Sequence, residues 1–143
     1  MKKFLSSVTG FFLALLFAVL PMKENALLLS VKAPVTTSST EVVLVYENKT
    51  GRQVSLCKDD YFAERKTENG WVAEPRLNQS AVKEVMDELW PQSGYRYTIK
   101  LSEPLEAGEY RISHVYDVRT FSLKPPFALT GTAQTAVTEF TVA

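Results

Sequence analysis

Beyond residue 40 the chain alternates between apolar and polar residues with a period of two. Tyr95–Leu101 and Tyr110–Tyr116 alternate without a break, and Thr135–Val142 does so at the end of the sequence. A period of two places successive side chains on opposite faces of a strand. Glu41–Glu47 is β-branched and aromatic with apolar residues in both phases, and Gln53–Cys57 resumes alternation. Asn48-Lys49-Thr50-Gly51 lies between them, and its turn chemistry predicts two strands joined by a tight connection. Tyr61–Arg65 and Trp71–Glu74 are further strands flanking Asn69-Gly70, a pair suited to the positive φ angles of a type I′ hairpin. Leu27–Val31 reads as a first strand, ended by Pro34. Seven or eight short strands at this spacing predict an all-β sandwich.

Three stretches break the pattern. Ser80–Trp90 has apolar residues at 82, 85, 86 and 89, with Ser80 placed to cap a helix and Pro91 to stop one. A short helix near 81–90 and an irregular crossover between sheets both fit it. Lys124-Pro125-Pro126-Phe127 through Gly131-Thr132 reads as a long loop before the last strand. The third stretch is the start of the chain. Met1-Lys2-Lys3 precedes an apolar run from Phe4 to Leu20, closed by Pro21. A basic start with an apolar centre is the pattern of an export signal. At ~1.5 Å per residue the run reaches about 25 Å, short of a ~30 Å hydrocarbon core. Residues 1–26 are expected to be a signal peptide or an uncleaved membrane anchor, and residues 27–143 the exported domain.

Composition narrows the function classes. The chain has 143 residues, 16 basic and 16 acidic, and a single Cys. Without residues 1–26 it keeps 13 basic and 15 acidic side chains. That balance excludes a general nucleic-acid binder, which carries a basic excess. A domain of this size buries roughly 65% of its unfolded surface, enough for one core without covalent staples. Cys57 can form no intrachain disulfide and is expected to be a small buried residue.

Leu105-Glu106-Ala107-Gly108-Glu109-Tyr110 is the most specific local signal. Gly108 permits a sharp turn, and Tyr110 opens a strand two residues later. This is the spacing of a tyrosine corner, in which the phenol bonds to backbone just upstream. Ile112 then falls where an antibody domain carries its second Cys, and is expected to face the core.

These residues resemble the bacterial Ig-like domain found in exported proteins of Gram-positive bacteria. The likeness covers most of residues 39–116. It is carried by Glu47–Gly51, by Glu64-Arg65-Lys66 spaced three residues from Gly70-Trp71, by Val72–Pro75, by Leu89–Gly94 before a strand, and by Leu105–Arg111. The sequence differs where it separates Pro91 from Gly94, and at Leu56-Cys57-Lys58. The resemblance implies an Ig-like β-sandwich of about seven strands, non-enzymatic, outside the cytoplasm, with an accessory or binding role.

Catalytic and metal-binding material is sparse. His114 is the only His, lies in an alternating strand, and is expected to be structural or surface. Asp59-Asp60 is expected to be an ordinary solvated turn and not a calcium site, and Asp87-Glu88 with Glu84 has the same reading. No catalytic, cofactor-binding or metal residue is assigned, and no cofactor is expected. Asn48-Lys49-Thr50 and Asn78-Gln79-Ser80 match the glycosylation pattern but read as turn residues. Twelve aromatic residues follow residue 40, more than one small core must hold; Phe127, between Pro126 and Ala128, is the foremost surface candidate. The expected partner is a protein or a cell-envelope component, met through end loops or a strand edge, with the membrane reached only through the N-terminal segment. The alternative is a small proteinase inhibitor using Phe121–Thr132 as its loop.

Overall fold

A computed structural model describes residues 26–78, 88–122 and 128–143. Eight strands fill them: β1 (Leu27–Val31), β2 (Glu41–Asn48), β3 (Val54–Thr67), β4 (Gly70–Ala73), β5 (Glu88–Leu89), β6 (Gly94–Lys100), β7 (Gly108–Ser122) and β8 (Ala128–Val142). They form two antiparallel sheets. One has the order β1-β2-β6; the other has the order β4-β3-β7-β8, with β5 also pairing β3. The described residues are all-β, consistent with an Ig-like sandwich.

Alternation dictates the packing. In β7 the even positions Tyr110, Ile112, His114, Tyr116 and Val118 are buried, and the odd positions face outward. Val42, Leu44 and Tyr46 of β2 meet them from the other sheet, within one core that also takes in Val54, Ala63 and Ile99. Ile112 is fully buried among apolar neighbours, as its position predicts.

The tyrosine corner is present. Tyr110 is buried, and its hydroxyl donates to the Glu106 carbonyl at 2.7 Å. Gly108 holds φ at +150°, which strains any side-chain-bearing residue.

Several local expectations need correction. β2 and β3 are joined by a tight connection but do not pair; they lie in different sheets. The reason is Asn48, which is 0% exposed. Its Nδ2 donates to the carbonyls of Arg52 (2.7 Å) and Leu89 (3.0 Å), and its Oδ1 accepts from the Thr50 backbone N–H (3.0 Å) and hydroxyl (2.7 Å). The side chain thus satisfies a bend that a hairpin ladder would otherwise have served. The strands expected at Gln53–Cys57 and Tyr61–Arg65 are one strand, β3, whose pairing with β7 shifts register between Leu56 and Tyr61. Asp59 and Asp60 belong to that irregular stretch and not to a turn.

The β3–β4 hairpin exists, but its turn is not type I′. Thr67 pairs with Gly70, so Glu68 and Asn69 occupy the turn, and only Gly70 takes positive φ, at +106°. The Thr67 hydroxyl accepts from the Asn69 N–H (3.3 Å) and donates to the Gly70 carbonyl (2.9 Å), which steadies this alternative. The long loop expected from Lys124 to Thr132 is also corrected. Residues 128–132 are paired with β7, extending the hairpin past the start of β3. Gly131 signals a close approach there, because a Cβ would lie 3.0 Å from the Asp117 Cβ. Of the segment near 81–90, Glu88–Leu89 is a strand; residues 79–87 lie outside the described residues, as do 123–127 and the N-terminal 25.

Asn48→Ala is expected to lower stability by about 3 kcal/mol, since it orphans several buried polar groups; urea denaturation should show a lower midpoint at unchanged slope. Tyr110→Phe keeps the ring and removes one hydrogen bond, for an expected loss of about 1 kcal/mol in the same assay.

Candidate functional site

The chemically richest side chains lie inside the core. The even phase of β7 points His114 inward, where it is 0% exposed. Its Nδ1 is 3.0 Å from the Tyr46 hydroxyl, a bond that ties β7 of one sheet to β2 of the other. The rings of Tyr46 and Tyr61 both meet the imidazole edge-on, with centroids 5.7 Å away. Burial raises the titration of both phenols well above the ordinary tyrosine range, so both stay protonated. The Tyr61 hydroxyl is buried and has no hydrogen-bond partner among the described residues. A sealed imidazole between two neutral phenols can hold the sheets together and fix their spacing; it is closed to a solvent-borne substrate. Of the two placements expected for His114, structural or surface, the buried structural one holds.

A second titratable pair closes one end of the sandwich. Glu74 follows β4 and is buried. The Arg76 guanidinium grips it in a fork, Nε to Oε1 at 2.7 Å and Nη2 to Oε2 at 2.9 Å. The Arg76 hydrogen bonds hold the Glu74 carboxyl below its usual range, against the opposing effect of burial. Asn78 completes this end, bonding both the N–H and the C=O of Ala63 as a further strand would.

The outer face of the five-stranded sheet differs from both. Register aligns Phe62 of β3, Ser113 of β7 and Val137 of β8 in one row across the sheet. Phe62 is 45% exposed and Val137 52%. Both are apolar residues in the outward phase of their strands, beside half-buried Val115. The row toward the β3–β4 turn is charged and internally paired. Arg111 lies over the Trp71 ring, 4.5 Å from its centroid, and its Nε donates to Glu64 at 2.8 Å. Lys66 pairs with Glu109, and Arg65 with Glu106 nearby. The face thus offers an apolar row beside cations already neutralised by neighbours, an arrangement suited to apolar contact with a charged rim.

Sequence-level candidates fare unevenly. The Asn48 and Asn78 amides are both committed to backbone carbonyls, so both act as structural turn residues. Glu88 accepts from Gln53 at 2.8 Å. Phe127, Glu84 and Asp87 lie outside the described residues. Of the loop expected for a proteinase inhibitor, residues 121–122 and 128–132 form a ladder, and residues 123–127 lie outside the described residues. Among the described residues no group of three or more His, Cys, Asp or Glu side chains is placed to hold a metal, and no helix is long and apolar enough to cross a membrane. Sequence reasoning missed the Phe62–Val137 row. Its signal was available, as an apolar residue in the polar phase of two strands, but the pairing register that joins them was not.

A family profile described as a bacterial Ig-like domain matches residues 23–132. No curated protein and no solved structure shows significant similarity to the chain.

Tyr46→Phe removes a buried inter-sheet hydrogen bond and should cost about 1–2 kcal/mol in denaturant titration. The Glu74–Arg76 pair predicts a pH signature. A carboxyl depressed on folding contributes stability that is complete above its unfolded value near 4.5 and fades as pH falls through the folded one. The stability gap between the native chain and Arg76→Met should therefore be widest near neutral pH and narrow as the pH drops below 4.5. Thermal melts across that range check it.

Proposed function

The chain belongs to the bacterial Ig-like domain family, and from that premise we propose that it is an exported, non-enzymatic module that binds a protein or cell-envelope partner through the outer face of its five-stranded sheet. The observation that carries this reading is the exposed Phe62–Ser113–Val137 row beside the charge-paired Trp71–Arg111 edge. Buried apolar contacts supply most of the free energy of such association, and a paired charged rim sets orientation. Export is supported by the basic start and apolar run of residues 1–26. That segment is also the only proposed contact with the membrane. The even charge balance favours a protein or envelope component over nucleic acid. The proposal includes no cofactor.

A photo-crosslinking residue at position 62 or 137 tests this in the bacterium that encodes the chain, with position 98 on the other sheet as control. Adducts are expected from 62 and 137, in the extracytoplasmic fraction only, and not from 98. Phe62→Asp combined with Val137→Asp should weaken capture of the adduct partner by about tenfold or more, with Tm changed by no more than about 2 °C. Adducts confined to the cytoplasm, or undiminished capture by the double variant, would refute the reading.

A further inference from the structure

We propose that the free edge of β8 is a self-association site, where a second copy of the chain pairs antiparallel about a two-fold axis near Ala133. β8 ends its sheet, and among the described residues its outer edge pairs only at Val142, through a parallel bridge to Val35. Among the described residues the backbone before that point has no strand partner on its outer side. Unpaired edges recruit strands unless charge, proline, a bulge or shortness blocks them.

The other described edges carry such guards. β1 is five residues long and is followed by Pro34. β6 carries Arg96 and Lys100. β4 and β5 have four and two residues. β8 has fifteen residues, and the eleven from Ala128 to Thr138 contain no charge and no proline. Its pairing with β7 runs without a register shift, so no bulge turns the edge away.

The chemistry of that edge fits a copy of itself. Antiparallel pairing about Ala133 sets Ala133 against its counterpart, Thr132 against Gln134, Gly131 against Thr135, and Thr130 against Ala136. Each pair joins small or uncharged residues, so no like charges are brought directly opposite. Thr130, Gly131, Thr132, Ala133 and Thr135 are all exposed. The part of β8 before Ala133 also runs past the start of β3, while β1 packs beside the part that follows. A two-fold contact uses both edges at once and closes, whereas a head-to-tail contact would propagate. It would join two five-stranded sheets into one. This inference stands apart from the binding role proposed for the sheet face.

Cysteine scanning of the full chain, expressed with its N-terminal segment in a Cys57→Ala background, tests it. Single cysteines at 131 through 135 are compared with Thr98→Cys on non-reducing gels. Disulfide-linked dimer is expected to peak at one position in that window, about tenfold above the control, and to fall away on both sides. In a second measurement Ala133→Lys, which sets two ammonium groups against each other at the axis, should halve the native mass of the extracted protein. A flat profile at control level, a ladder of higher oligomers, a cross-linked product with the mass of a different protein, or a native mass unaltered by Ala133→Lys would overturn it.

Discussion

One buried amide, that of Asn48, decides how this chain becomes two sheets. Its backbone closes β2 against the turn before β6, with its N–H bonded to the Ser93 carbonyl at 2.9 Å and its carbonyl to the Gln92 N–H at 3.0 Å. Its side chain holds the bend that carries the chain across to β3 and at the same time anchors β5. Its donors and acceptors are shared among three parts of the sandwich rim: the bend at residues 50–52, β5, and the turn before β6. A buried polar group is tolerated only when satisfied in this way, and a satisfied one fixes geometry more tightly than apolar contact can.

The Tyr46–His114 bond plays a comparable part in the middle of the core. Between these two polar links lies ordinary apolar packing, built from the inward phase of each strand. The single Cys means that no disulfide joins the sheets within the chain. With His114, Tyr46 and Tyr61 enclosed and Glu74 paired with Arg76, the outward phase is left to interact. There the charged side chains neutralise one another, and Phe62 and Val137 stand exposed on strands that do not need them for the core.

The division between the two phases explains what could be read in advance. The strands at Leu27–Val31 and Glu41–Glu47, the tyrosine corner at Tyr110, the inward Ile112 and the structural roles of His114, Asn48 and Asn78 all follow from local periodicity or local chemistry. Misreadings came where a local signal serves two geometries. Asn48–Gly51 suits a hairpin or an arch between sheets, and only the buried carbonyls of Arg52 and Leu89 select the arch. Asn69-Gly70 suits two turn types, and the Thr67 hydroxyl favours the one with a single positive φ. Gly131 marks either a loop or a crowded ladder, and the Asp117 side chain makes it the latter.

By itself the sequence determined the fold class, the inward face of most strands and the family, because each is written in spacing along a single segment. Which strands share a sheet, and therefore which exposed residues form one surface, was decided only by tertiary structure. Phe62 and Val137 are 75 positions apart in the chain. Period-two alternation assigns each a face, but register between distant strands is set by the summed fit of the whole core, to which no short segment holds the key.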